Sequence, residues 1–288
     1  MRRAHLAGFL GIVVCFTAIS YAQTGELRVP ANVVAGTAAV INTTGGGSAT
    51  FYLEGPSGSS KSDIKLGEEI SLEARDLQAA GRYLAIVCSD SCRSADFFVT
   101  PAKPVSLIFL VHPSRAPVGQ NDIISGVALP FDEFHNMVFA PATVDFQLTA
   151  GGKTLMSRPV TTQGGVAWFR ANSGKAAGAL QIVASINDLN VRRVVQQVAS
   201  DPCNLRIKGQ RTNKGIVVET EPVRDCSGNP VPDGTVVTFT AKGGNDTSTV
   251  DAPIKQGVAR AQIIATGPVV ISAASGVVMG NELRVGGQ

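Results

Sequence analysis

The sequence of 288 residues holds three histidines and 22 carboxylates, and their spacing limits the chemistry open to it. His5 lies in the N-terminal leader, His112 ends the apolar run LIFLV, and His135 sits in the turn DEFHN. Neither H-x-x-x-H nor H-E-x-x-H occurs, so no zinc-hydrolase pattern is present. Serine offers no G-x-S-x-G elbow: GPSGSS (Gly55–Ser60) is a turn cluster with no helix behind it. GGG (Gly45–Gly47) lacks the Lys-Ser/Thr sequel of a phosphate loop. A hydrolytic site would have to bring His112, His135, Asp132 and Glu133 into one cleft. Short loops and scarce histidine argue against it, and no catalytic or cofactor-binding residue is assigned.

Metal chemistry is equally thin. No carboxylate run has the D-x-[DN]-x-[DN] spacing of a calcium loop. An interdomain calcium site would draw on Asn187, Asp188 and Asp201, and a polar rim is the simpler account of all three. Four cysteines follow the leader: Cys88, Cys92, Cys203 and Cys226. In an exported chain an even number suggests disulfides, with three connectivities on paper. Local pairing is favoured by the domain boundaries below: Cys88 with Cys92, worth ~1–2 kcal/mol, and Cys203 with Cys226, worth ~3 kcal/mol. A Cys-x3-Cys metal site would need further ligands that are not nearby in sequence.

Aromatic residues provide the remaining candidate site. In VAWFRA, Trp168 and Arg170 share one face of a strand and Ala167 and Phe169 the other. If Phe169 is core, Trp168 looks outward beside Arg170; the opposite arrangement buries Trp168. With Phe131, Phe134 and Phe139 around the Asp132–Val138 turn, they form the candidate binding surface.

Arg2 and Arg3, the apolar run Gly8–Ser20 and the small residues of Ser-Tyr-Ala at 20–22 read as a signal peptide, residues 1–22. The run is shorter than the ~20 residues of a membrane span, and Val14 before Cys15 does not suit a lipoprotein signal. No transmembrane segment is expected after cleavage, and the chain is expected to be exported to the periplasm, outer surface or medium. Loss of Arg2 and Arg3 lowers the formal charge from +3 to +1, which offers nucleic acid no electrostatic footprint.

Brief alternating, β-branched runs punctuated by Gly, Pro, Asn and Asp predict an all-β chain of sandwiches. The best helical candidate, SLEARDLQAAGRY (Ser71–Tyr83), is short. In the same stretch Tyr83 is placed to pin a sandwich corner by bonding back to the backbone, or simply to fill the core. Breaks at TPAKP (Thr100–Pro104) and ASDP (Ala199–Pro202) divide the rest into segments 23–102, 103–200 and 201–288.

The last two segments repeat. With a shift of 93, Asp132, Asn136, Val138, Val144 and Phe146 meet Asp225, Asn229, Val231, Val237 and Phe239. Both copies continue into a glycine-led strand, GGVAWFRA from Gly164 and QGVARAQII from Gln256.

Asp225, Gly228, Asn229, Pro230, Val231 and Pro232, followed by the strand residues Val237 and Phe239, resemble the bacterial immunoglobulin-like domains of the invasin and intimin type (group 1). The likeness is strongest over 203–286. It is weaker over 104–200, where His135 replaces Gly228 and Phe139 replaces Pro232, and generic before that. The resemblance implies tandem immunoglobulin-like β-sandwiches acting as spacer and display modules, without enzymatic activity. The expected function is a secreted or cell-surface structural or adhesion-type protein, meeting a protein or glycan of the cell envelope. A carbohydrate- or polymer-binding accessory protein is the alternative, and a secreted enzyme with an atypical site a remoter one.

Overall fold

The computed structural model describes residues 26–286. The leader, with His5 and Cys15, lies outside the described residues. The chain divides into two compact units, up to Thr100 and from Pro101 onward.

In the first unit, β1 (Leu27–Arg28), β3 (Ala39–Thr43) and β6 (Glu69–Leu72) form a three-stranded sheet in the order β1-β3-β6. β2 (Asn32–Val34), β4 (Ser48–Gly55), β5 (Gly58–Lys65), β7 (Gly81–Cys88) and β8 (Cys92–Thr100) form a second, in the order β2-β8-β7-β4-β5. Period-two alternation turns Phe51, Leu53, Tyr83, Ala85, Phe97 and Val99 inward, with Ile41, Ile70 and Leu72 buried from the smaller sheet. Tyr83 fills the core and pins a corner at once. Its ring stacks on Phe97 at 5.5 Å, and its hydroxyl donates to the Ala79 carbonyl at 3.0 Å.

The stretch EISLEARDLQAAGRYLAIV (Glu69–Val87) has the strand–turn–strand course its cadence implies. The helical candidate Ser71–Tyr83 is strand to Leu72, one 3-10 turn at Ala74–Leu77, and strand again from Gly81. The turn cluster GPSGSS is a turn only at Pro56-Ser57; Gly58–Ser60 open β5. β5 is an edge strand exposed on both faces, so no hydrophobic alternation marks it.

The second unit contains two cores. Around the first run β9 (Ser106–His112), β10 (Arg115–Pro117), β11 (Ile124–Phe131), β12 (Thr143–Ala150), β13 (Lys153–Thr161), β14 (Ala167–Ala171), β15 (Gly178–Ile186) and β16 (Leu189–Val198). Their sheets are β14-β11-β9 and β10-β16-β15-β12-β13. This is the strand order of the first unit, including a parallel pairing of the short second strand with the last.

The other core has β17 (Ile207–Thr212), β18 (Gly215–Thr220), β19 (Val236–Gly243), β20 (Asp246–Pro253), β21 (Arg260–Ile263), β22 (Val269–Ser275), β23 (Val278–Met279) and β24 (Leu283–Val285). Its sheets are β17-β18-β21 and β20-β19-β22-β23, with β24 also on β22. Residues matched by the 93-residue shift fall in matched places: Val144 and Phe146 in one core, Val237 and Phe239 in the other, all fully buried.

The glycine-led strands have a shared cause. Gln163 and Val166 exchange both backbone hydrogen bonds around Gly164 and Gly165, at φ 56° and 78°. Lys255 and Val258 do so around Gln256 and Gly257, at φ 53° and 80°. Two positive φ angles define a type I′ hairpin, whose twist matches the strands it joins. Gly126 on β11 answers a different need: a Cβ there would stand 2.3 Å from the Phe169 ring, which packs 4.7 Å from Phe146.

Candidate functional site

The residues an enzymatic site would need do not converge. His112 pairs with Ser125 at one end of the β9–β11 ladder, whereas Phe131, the residue before Asp132, pairs with Ser106 at the other. His135 lies in the loop beyond that far end. Asp132 is buried, and four N–H groups converge on its carboxylate: Phe134 N and Asn136 N on Oδ1, Ala102 N and Asn136 Nδ2 on Oδ2. A carboxylate so surrounded by donors has no oxygen left to take a substrate proton or a cation.

The calcium alternative meets the same kind of obstacle. Asn187 and Asp188 form the turn joining β15 to β16, while Asp201 follows the opposite end of that hairpin, where Gly178 pairs with Gln197. Nine residues at ~3.3 Å each separate the two ends by about 30 Å. Among the described residues no group of three His, Cys, Asp or Glu is placed to hold a metal ion.

Asp225 repeats the arrangement of Asp132. Its Oδ1 accepts from Ser227 N (2.8 Å) and Asn229 N (2.9 Å), and its Oδ2 from Ser200 N (3.1 Å) and Asn229 Nδ2 (3.0 Å). Both aspartates reach back to the segment that precedes their own core, Ala102 in one case and Ser200 in the other. Burial works to raise each carboxyl, but for Asp225 the bonds from Asn229, Ser200 and Ser227 outweigh it and hold the group below the usual carboxylate range. Asp132 is lowered in the same way, chiefly by Asn136, against the same effect of burial.

Asn229 also spans the two cores of this unit. Its Oδ1 accepts from Ala177 N (2.9 Å) and its Nδ2 donates to the Lys175 carbonyl (2.8 Å). A disulfide between Cys203 and Cys226 ties the same loop to the segment before β17. Cys88 and Cys92 pair across the β7–β8 hairpin, where the two residues are ladder partners.

One position in the repeated loop must be left-handed: Gly228 at φ 86° and His135 at φ 65°. A side chain there costs roughly 1–2 kcal/mol. Replacing His135 with Gly is expected to stabilise the protein by up to about 1 kcal/mol, and replacing it with the β-branched Val to destabilise it by at least as much. Urea midpoints of the two variants, read against the natural protein, check both signs.

The aromatic candidates divide. Phe169 is buried and Trp168 points outward, 59 % exposed, with Arg170 exposed on the same face. Phe131 is half-buried on that face of the sheet, four residues (about 13 Å) along β11 from Val127, the partner of Trp168. Phe139 is exposed and Phe134 half-buried in the loop beyond. Sequence reasoning missed the residues that join them. Trp168, Val127 and Leu110 form one cross-strand row, and Leu129 with Ile108 the next. Leu110 is 59 % exposed and Ile108 48 %. The signal was in LIFLV, which is apolar at every position although only Leu107 and Phe109 of its first four residues enter the core.

The sequence matches no family model and no curated protein. A solved chain of FdeC, described as an Escherichia coli adhesin, is similar to it with a TM-score of 0.64 and 15 % identity, over 92 % of this chain and 97 % of that one. The fold is that of tandem immunoglobulin-like β-sandwiches. InvD of Yersinia pseudotuberculosis (TM-score 0.49, 12 % identity, 92 % of this chain and 97 % of that one) is also similar. So is invasin, a bacterial integrin-binding protein (0.49, 11 %, 89 % and 57 %). At 15 % identity the likeness to FdeC concerns fold, and at 92 % of this chain it extends across the first unit as well, where the sequence motif is absent. Among the described residues no helix is long and apolar enough to cross a membrane.

Proposed function

We propose that the chain is a non-enzymatic, exported structural and adhesion-type protein, built of immunoglobulin-like sandwiches over 23–102, 103–200 and 201–288. The joint at Asp225 carries this reading. One buried carboxylate, one asparagine and one disulfide lock a loop simultaneously to its own core, to the segment before it and to the neighbouring core. A joint made that way transmits orientation from one core to the next, as a spacer or display protein requires and a catalyst does not. The similarity of fold to FdeC supports the same reading.

The partner in this proposal is a protein or glycan of the cell envelope. The test is fractionation of the producing cells, followed by mild crosslinking and recovery of the chain from the envelope. Periplasmic, surface or secreted material crosslinked to an envelope component is expected. Recovery from the cytoplasm alone would overturn the export claim. A carbohydrate-binding role is the second reading, favoured by Trp168 standing exposed beside Arg170.

A further inference from the structure

The outer face of the β14-β11-β9 sheet carries a pattern that a solvated face does not need. In the other core of the same unit, the row matching Trp168–Val127–Leu110 is Arg260–Glu219–Lys208. Glu219 pairs with both cations there, at 2.5 Å to Arg260 and 3.1 Å to Lys208, so that face satisfies itself in water. The next row, Leu129–Ile108, is matched by Glu221 and Arg206, whose backbones are hydrogen-bonded. Five charged positions in one sandwich are thus five large apolar positions in its repeat.

β9 thus has the apolar composition of a strand covered on both faces, although its Ile108 and Leu110 are exposed. Contiguous exposed apolar surface of this kind marks an interaction site.

We infer that this face docks against a second copy of itself. Leu, Ile and Val make up most of it, and interdigitating aliphatic side chains are what sheet-on-sheet packing uses. Area limits the arrangement. Three strands ~4.8 Å apart and seven residues long give a face of roughly 15 by 20 Å. That falls short of the ~800 Å² per partner of a standard interface, so the flanking loop must take part.

Charge chooses the orientation. One end of the face carries Arg170, for which no carboxylate partner exists among the described residues, with Ser125 and His112 in its row. Beyond the other end stands the exposed carboxylate of Glu133, in the loop that also exposes Phe139. A twofold axis lying across the strands near Ala128 reverses the strand direction. It sets Arg170 of one copy against the Phe131–Glu133 end of its mate. It also lays the Val127–Leu110 row over the mate's Leu129–Ile108 row and brings the two Trp168 rings near the axis. The contact is isologous and closed, giving a dimer and no fibre.

Trp168 is the only tryptophan in the chain, so its emission reports on this face alone. The purified protein is to be followed by sedimentation equilibrium and tryptophan emission from about 1 to 100 μM, the range of a standard interface of modest affinity. Dimer mass is expected to appear together with a blue shift of Trp168. Leu110→Lys, which installs the residue of the matching position Lys208, is expected to leave a monomer with water-exposed emission throughout. Glu133→Arg is expected to weaken the dimer at least tenfold, on the order of 1.4 kcal/mol, and adding Arg170→Glu to restore it. Because the charge-swapped pair regains what the single change loses, a failure of Leu110→Lys to fold would not shield the inference. A monomer with unshifted emission at every concentration overturns it, as does a dimer indifferent to all three changes. A monomer whose emission moves only when polysaccharide is added also overturns it, and assigns the face to a glycan. None of these outcomes depends on where the chain is exported.

Discussion

Asp225→Ala is expected to lower the unfolding midpoint of the second unit by about 6–12 °C at neutral pH. Four N–H groups converge on this carboxylate. Hydrogen bonds to a charged acceptor are each worth ~1.5–3 kcal/mol, but water can replace the carboxylate for donors on the exposed side of the loop. A net loss of roughly 3 kcal/mol follows, and a unit of this size loses ~2–4 °C per kcal/mol. The control is Asp251→Ala. Asp251 is exposed and accepts one hydroxyl bond from Thr238, so its removal should stay within ~0.5 kcal/mol.

The pH dependence has a definite sign. The folded-state pKa of Asp225 lies below its unfolded value, so its contribution is fully present above the unfolded carboxylate value of ~3.9 and is lost as pH falls through the folded one. The gap between natural protein and variant should be constant from about pH 5 to 8 and close only in stronger acid. A variant that melts with the natural protein at pH 7 would remove the carboxylate from this role.

Legibility in the sequence followed burial. Where a strand has one wet, polar face, alternation betrays it, and the repeat of Asp132 to Phe146 in Asp225 to Phe239 aligns because every matched residue is buried or holds the loop. Edge strands escaped: β5 is exposed along nearly its whole length, so nothing in GSSKSDIK distinguishes strand from turn. The first unit shares the strand order of the repeat but not its motif. The motif lives in the loop that follows β11 and β18, the place that follows β3 in the first unit. There the first unit has only Thr44 to Gly47, with Gly45 and Gly47 at positive φ, where the middle core has an eleven-residue loop. A family resemblance carried by one loop cannot extend to a domain that lacks the loop.

The candidate surface was half legible. Trp168 could be nominated because VAWFRA alternates and one face had to be core. Leu110 and Ile108 could not, because an apolar run such as LIFLV is also what a strand covered on both sides looks like. Only the register across β9, β11 and β14 shows that one side is open, and only the charged counterpart in the next core shows that an open side need not be apolar.

Removing the Cys203–Cys226 disulfide is the second large effect, with about 3 kcal/mol expected from the loop of 23 residues it closes. Cys88–Cys92 closes only 4 and clips residues already paired in a hairpin ladder, so its loss should cost less, about 1–2 kcal/mol, and only in the first unit. Urea unfolding of the Cys203→Ala/Cys226→Ala and Cys88→Ala/Cys92→Ala proteins separates the two. Denatured natural protein should show no titratable thiol at these four positions.

The sharper consequence is coupling. Cys226 is the neighbour of Asp225, and Cys203 donates its amide to the Arg224 carbonyl beside it. With the staple in place, a loop that has lost Asp225 still cannot leave the segment before β17. Without it, the carboxylate is the main tether left to that segment through Ser200. The combined variant should therefore lose more than the two separate losses together, by at least ~0.5 kcal/mol in a double-mutant cycle. Strict additivity would mean that disulfide and carboxylate hold independent structures, and the joint would then be two devices that happen to be adjacent.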